Sequence, residues 1–183
     1  SAVLNRISPK KDVDGLTPQN IGKLLLGHET IVPCAVAAIM KLLDESRTII
    51  AGKDVVVVSR SSLIGKPLSV VLLKRSATVT VCHSRTKDTA KHVRNADIVI
   101  TGVGRPGFLR GDMIREGAVV IDAGFTIRGG KSYGDADFLS VLKKASAITP
   151  VPGGVGPITV AMVMKNLVAC YKSQKGGPRD MEG

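Results

Sequence analysis

The chain has no tryptophan and only two tyrosines and three phenylalanines in 183 residues. A core without large rings is filled by Val, Ile, Leu and Ala, which suits α/β packing better than a β-sandwich. The shortage of aromatics also removes the stacking platform that holds single-stranded nucleic acid. Cysteine is scarce: Cys34, Cys82 and Cys170 are odd in number and lack metal-like spacing. They read as buried free thiols in a reducing cytosol, with no metal site implied. No apolar run reaches the roughly 18 residues of a membrane helix. The opening Ser1-Ala2-Val3-Leu4-Asn5-Arg6 has no signal-peptide core. The expectation is a cytoplasmic protein without membrane contact. Acidic residues are outnumbered, with 15 Asp and Glu against 26 Lys and Arg, giving a net charge of +11. The basic residues are scattered, so nucleic acid is not the expected partner. A small polyanionic ligand accounts for the excess, and a merely basic surface stays open as an alternative.

What the chain does have is a valine run with a polar loop behind it: Asp54-Val55-Val56-Val57-Val58-Ser59-Arg60-Ser61-Ser62-Leu63-Ile64-Gly65-Lys66-Pro67. Four consecutive valines predict a strand buried on both faces. Gly65 is expected to take an unusual backbone angle, and Pro67 suits the first turn of a helix. Leu68, Val71, Leu72 and Leu73 continue at helical spacing. Strand, polar loop and helix make the local plan of a phosphate site, with loop amides and the helix start facing the anion. The dinucleotide fingerprint G-x-G-x-x-G is incomplete, since Ser59 and Ser61 stand where glycines could be. A plain strand-to-helix turn therefore remains open. Thr78-Val79-Thr80-Val81-Cys82-His83 is the second strand. In dinucleotide folds the residue closing this strand meets the adenine ribose: a carboxylate selects NAD, and a cation accommodates a 2′-phosphate. Here the strand ends His83-Ser84-Arg85-Thr86, with no carboxylate. Arg60, Ser84 and Arg85 can bind a phosphate through charge-assisted hydrogen bonds; a basic surface turn is the alternative.

Further strand–loop–helix units follow. Residues 89–94 read as a short helix and 97–104 as a third strand. Gly102 and Gly104 either let a ribose or pyrophosphate approach the backbone or simply form a turn. Residues 109–116 read as a helical connection, 118–125 as a fourth strand, Arg128-Gly129-Gly130-Lys131 as a hairpin turn, and 138–145 as a helix. The pattern predicts an α/β fold: a doubly wound, Rossmann-like, mostly parallel sheet with flanking helices and its ligand at the carboxyl edge. Residues 147–159 form the most constrained loop, stiffened by proline and bent by glycine. A helix starting at Pro157 continues through Val160, Val163, Met164, Leu167 and Val168. A loop so stiff at that edge suits holding a substrate in position. Toward the N-terminus, Pro9-Lys10-Lys11-Asp12-Val13-Asp14-Gly15 reads as a charged, solvated turn. Ile21, Leu24 and Leu25 follow at helical spacing, and a second helix opens at Pro33-Cys34. The polar end of the chain reads as disordered.

Taken together, these pieces resemble the methylenetetrahydrofolate dehydrogenase/cyclohydrolase family. The residues that carry the resemblance are Lys11-Asp12-Val13-Asp14-Gly15, Ser59-Arg60-Ser61 with Gly65-Lys66-Pro67, residues 78–84, Gly104-Arg105-Pro106-Gly107-Phe108, residues 117–122 and residues 148–159. The resemblance implies NADP-linked oxidation of 5,10-methylenetetrahydrofolate to the methenyl form and its hydrolysis to 10-formyltetrahydrofolate. It implies that Ser59, Arg60, Ser61 and Ser84 bind NADP, with Arg85 and Gly104 beside them and Phe125 near the nicotinamide. Pro152, Gly153, Gly154, Val155, Gly156, Pro157, Ile158, Thr159 and Val160 would line the folate side. Asp14 would accept hydrogen bonds from the pterin, while Asp12 stays structural. The family pattern also has Gly at Ser59, Thr-Pro-Lys-Gly at Ala35-Val36-Ala37-Ala38, and Ile-Asn at Phe125-Thr126. Its Tyr-x-x-x-Lys motif, with the proton-handling lysine, belongs to an N-terminal substrate domain, and no match to it is expected in this chain, at Tyr133 or at Tyr171. The expected organisation is the end of a substrate domain and hinge at 1–30, an NADP-binding domain with a linking helix at 31–172, and a flexible tail at 173–183. A homodimer paired through the cofactor domain is expected, with the catalytic domain supplied by the full-length protein or a partner chain. The isolated chain is expected to bind NADP weakly and not to turn over. The alternative is a catalytically inactive NADP-binding regulatory or interaction module.

Overall fold

Val55, Val56, Val57 and Val58 are all at most 3% exposed, so the valine run is indeed covered on both faces. Alternation of side chains along a strand sends Val55 and Val57 to one face and Val56 and Val58 to the other. Burial of each stabilises the fold by roughly 1.5–3 kcal/mol. The protein is described by a computed structural model, which covers residues 3–29 and 31–175.

The elements run α1 (Pro18–Leu26), α2 (Cys34–Glu45), β1 (Asp54–Val58), α3 (Gly65–Lys74), β2 (Thr78–Cys82), α4 (Thr89–Val93) and β3 (Ile98–Thr101). They continue with β4 (Val119–Asp122), β5 (Thr126–Arg128), β6 (Lys131–Tyr133), α5 (Phe138–Leu142), β7 (Ala147–Ile148) and α6 (Val155–Lys175). Five strands form a parallel sheet in the order β2-β1-β3-β4-β7. β5 and β6 form a separate antiparallel hairpin. One core packs Val55, Val57, Ile98, Ile100 and Ile121 against α2, α3 and Val155 of α6. On the opposite face Val56, Val58, Val99 and Val120 meet Val93 of α4 and Val141 of α5. This is the doubly wound arrangement expected from the sequence. The chain reverses direction of winding at β1, so the crevice beyond the carboxyl ends of β1 and β3 is where such sheets bind ligands.

The N-terminal segment is built on caps rather than solvated. The Thr17 hydroxyl accepts from the Asn20 amide and Pro18 begins α1, a favourable start for a helix. Asp12 is only 5% exposed. Its carboxylate accepts from the Leu16 and Thr17 amides at 3.1 and 2.7 Å and from Asn20 Nδ2 at 2.9 Å. The solvated-turn reading thus fails for Asp12, because its charges are met by backbone and amide donors.

Three further expectations shift. Residues 109–116 hold only a 3₁₀ turn at Gly111–Met113, because Leu109 is drawn into a bridge with Ala136. The two-residue strand β7 was not anticipated inside the loop at 147–159. Helix α6 begins at Val155, two residues before Pro157, and runs through Lys175, past the expected tail boundary; residues 176–183 of that tail lie outside the described residues. Cys34, Cys82 and Cys170 are free and buried. Among the described residues no helix is long and apolar enough to cross a membrane.

Candidate functional site

Both candidate clefts open at the carboxyl edge of the sheet. The first, about 470 Å³, lies beyond β1, β2 and β3. It is lined by Ser59, Arg60 and Ser61 after β1, by His83, Ser84 and Thr86 after β2, and by Gly102, Val103, Arg105 and Phe108 after β3. Among the described residues no carboxylate lines it. Hydroxyls and cations without a competing acid fit a phosphorylated nucleotide. Among the described residues Arg60 and Arg105 form no ion pair, so their charge is available to a ligand. Arg105 lies over the Phe108 ring, 5.4 Å from its centroid, which fixes the guanidinium at the rim.

The loop after β1 works differently from the expectation. Gly65 is the first residue of α3, with no left-handed backbone. It is required because a Cβ there would overlap the Ser59 carbonyl and the Arg60 backbone. The start of α3 is also capped from within. Ser61 Oγ accepts from the Ile64 and Gly65 amides at 3.1 and 3.4 Å. The Ser61 carbonyl accepts from the Lys66 amide at 3.0 Å, and Pro67 has no amide hydrogen. The first-turn donors that a phosphate would use are therefore already taken, and recognition of an anion falls to side chains. Ser59 is 4% exposed, and its hydroxyl donates to Ser61 Oγ at 3.3 Å.

Arg85 and Gly104 are exposed and are not among the residues lining this cleft. The Arg85 amide instead donates to His83 Nδ1 at 3.1 Å. Gly104 has φ of 68°, so this glycine shapes the turn after β3.

The second cleft, about 340 Å³, lies beyond β4 and β7. Pro152, Gly153, Gly154, Val155, Gly156, Pro157 and Thr159 line it, as do Asp122, Gly124 and Phe125 after β4. Ala35 and Ile64 close the remaining side. Ile158 and Val160 were expected here and are not in the lining: Ile158 packs against the first core and Val160 is 60% exposed. On a helix each residue turns about 100° from the last, so only Thr159 of these three faces the cleft. Phe125 is 61% exposed at the mouth. Of Ala35-Val36-Ala37-Ala38, only Ala35 reaches this cleft; Val36 and Ala38 are fully buried.

Asp14 is exposed and lines neither cleft. Its Oδ1 accepts from the Cys34 amide at 3.3 Å, at the start of α2, where the helix dipole favours a carboxylate. Cys34 is thus one residue from the cleft-lining Ala35. Burial, with the Asp14 carboxylate beside it, pushes the Cys34 thiol up to about 12.

Sequence reasoning missed three polar residues. Asn166, 8% exposed on α6, donates to the Val13 and Val32 carbonyls, each at 2.9 Å, and so holds the Asp14 loop in place. Asp122 and Asp135 are buried, the first in the lining of the second cleft and the second hydrogen-bonded to the loop after β3. Burial pushes the Asp122 carboxyl above its ordinary value, against the pull of the Ala136, Asp135 and Gly124 amides. A carboxylate closing an otherwise apolar strand was the available signal for Asp122. The expectation that nothing matches Tyr-x-x-x-Lys is corrected at one place: Tyr171 and Lys175 have that spacing. This pair sits on the exposed last turns of α6 with Lys175 Nζ 5.2 Å from the Tyr171 ring centroid. Tyr171 lies roughly 24 Å along the helix from Val155 at the second cleft, so the match is not a motif in place.

Residues 33–175 match the model of the tetrahydrofolate dehydrogenase/cyclohydrolase NAD(P)-binding domain. The bifunctional protein FolD of Bacillus licheniformis is 52% identical over 172 residues, covering 93% of this chain and 61% of that protein. The FolD structure from Campylobacter jejuni superposes with a TM-score of 0.92 at 44% identity, over 94% of this chain and 62% of that one. The Trypanosoma brucei FolD structure, complexed with NADP cofactor and inhibitor, superposes with a TM-score of 0.90 at 43% identity, over 96% and 63%. The chain thus spans about three fifths of the length of these relatives. A shared sheet edge, a matching domain and identity near one half lead to one assignment: the chain belongs to the tetrahydrofolate dehydrogenase/cyclohydrolase family.

Proposed function

We propose that the chain is the cofactor-binding half of an NADP-dependent 5,10-methylenetetrahydrofolate dehydrogenase and methenyltetrahydrofolate cyclohydrolase. The observation that carries this reading is the pair of clefts on one sheet edge, one lined by hydroxyls and arginines and the other by a stiff Pro/Gly loop. The T. brucei relative's NADP complex supports the choice of cofactor. Bound nicotinamide would supply the hydride acceptor. The chain's own residues bind, orient and exclude water. Arg60, Ser61 and Ser84 hold the phosphorylated ribose through charge-assisted hydrogen bonds. Phe125, at the cleft mouth, shields the nicotinamide side. The loop from Pro152 to Thr159 forms the folate wall, and Asp14 accepts from the pterin edge with the oxygen not turned to Cys34. The proton-handling lysine is assigned to the substrate domain, outside this chain.

Two apolar surfaces support partners. Val160, Met164, Leu167, Val168 and Tyr171 of α6 are 50–60% exposed along one stripe of the helix, as expected where a substrate domain docks. Ile127, Tyr133, Leu139 and Leu142 are 42–71% exposed around the β5–β6 hairpin, a patch that suits a homodimer contact. Three buried thiols suit a reducing cytoplasm. The module without chemistry is not favoured, because a nucleotide module has no use for the folate-side loop.

The test is a hybrid in which the N-terminal part of the B. licheniformis relative precedes this chain. The expected result is reduction of NADP that depends on methylenetetrahydrofolate. A hybrid that binds NADP and folate but reduces none would overturn the reading.

A further inference from the structure

Two buried carboxylates, Asp122 in the lining of the second cleft and Asp135 behind the loop that lines the first, are left without a role by the reading above. Asp122 is 3% exposed and Asp135 fully buried. Among the described residues neither forms an ion pair. A buried charge without a cation is costly unless hydrogen bonds meet it, and here backbone amides do so. Asp135 Oδ2 accepts from the Val103 amide at 2.6 Å and from Thr101 Oγ1 at 3.2 Å. Its Oδ1 accepts from the Arg105 amide at 2.6 Å. The Asp135 amide in turn donates to Asp122 Oδ1 at 3.0 Å, which also accepts from Gly124 at 2.9 Å. Space is reserved for both groups: a Cβ on Gly124 would overlap the Asp135 carboxyl, and one on Gly134 would overlap that of Asp122.

All three donors to Asp135 belong to the end of β3 and the loop behind it. That loop carries Gly102, Val103 and Arg105 into the nucleotide cleft. Asp135 is not itself among the residues lining the cleft; it reaches the cleft only through the backbone amides of Val103 and Arg105. A loop whose amides are gathered onto one fixed acceptor cannot relax without leaving them unpaired. We infer that Asp135 is a positioning residue for cofactor binding: it clamps the loop after β3 so that Val103 and Arg105 present a preformed wall to the dinucleotide. The Asp122 link ties this wall to the Gly124 turn that lines the folate side. The inference rests on the reading that this cleft takes NADP.

The experiment titrates NADP into the chain, into Asp135→Asn, into Arg105→Ala and into the double variant, well below each melting midpoint. Asn offers one acceptor and one donor, so one of the two amides meets a donor. The expected result is about a ten-fold rise in the NADP dissociation constant for Asp135→Asn, with little added by Arg105→Ala in that background. Thr101→Val removes one donor and keeps the carboxylate; an increase of about two- to three-fold is expected. It carries the test if Asp135→Asn does not fold. Variants that melt lower but bind NADP as tightly as the parent would show a carboxylate that only stabilises, and overturn the inference. Full additivity with Arg105→Ala would overturn it too, since the clamp would then not act through that loop. A parent chain that binds no NADP would instead remove the underlying reading, and the clamp with it.

Discussion

The proposed nucleotide side and the proposed folate side share one sheet edge but are built from opposite materials. The first is lined by side-chain hydroxyls and guanidinium groups on short loops. The second is lined mostly by proline, glycine and valine, on a loop that includes a cis Val151–Pro152 peptide. One side presents charge, which a single residue can supply or remove. The other presents shape, which is distributed over the backbone. Point substitutions should therefore be sharp on the first side and blunt on the second.

The largest effect is expected for Arg60→Ala. Losing one charge-assisted hydrogen bond costs about 1.5–3 kcal/mol, so NADP affinity should fall roughly 10- to 100-fold, with NAD affinity nearly unchanged in parallel titrations. Equal losses for both would mean that Arg60 does not meet the 2′-phosphate. On the folate side, Thr149→Val strips the acceptor from the Asp122 amide, now at 2.8 Å. An orphaned buried amide costs about 1–3 kcal/mol, so calorimetry should show a melting midpoint lower by roughly 2–12 °C. NADP affinity should stay within about two-fold. A large affinity loss would erase the contrast between the two sides.

A smaller effect tests the frame beneath both. Burial raises the Asp12 carboxyl, but hydrogen bonds from Thr17, Asn20 and Leu16 outweigh it and hold the group below 3.8. The unfolded chain then binds that proton more tightly than the folded one. The stabilisation is complete above the ordinary value and is lost as pH falls from 3.8 through the folded value. Acid unfolding of Asp12→Asn should therefore show a shallower loss over that window than the parent; identical slopes would contradict it. The smallest effect concerns Cys34. With its thiol at about 12, almost no thiolate exists near neutral pH, and a thiol reagent should label it only as fast as the fold opens.

The same contrast explains what could be read from the sequence. The gathering of Ser59, Arg60, Ser61 and Ser84 in one cleft was legible because it follows from order along the chain: a valine strand, then serines and an arginine, then a second strand ending in Ser84. Each such side chain sits at a strand end by its position alone. The folate loop was legible in composition but not in phase, so Ile158 and Val160 were assigned to a cleft that only Thr159 faces. Asp12 and Asp14 are two residues apart with opposite exposure, a difference decided by where Thr17 and Asn20 fold back. Asp135 and Asn166 were invisible for the same reason. Their partners, Val103 and Arg105 for one and Val13 and Val32 for the other, are brought near only by tertiary structure. The capping of α3 by Ser61 also escaped, since an incomplete glycine pattern does not say which amides a serine will take.

The measurement that tests the account most directly is a calorimetric titration of the chain with NADP and with NAD at one fixed salt concentration. The account predicts tighter binding of NADP by at least about ten-fold, the contribution of one charge-assisted contact to the 2′-phosphate. Equal affinity for the two, or a preference for NAD, would contradict it.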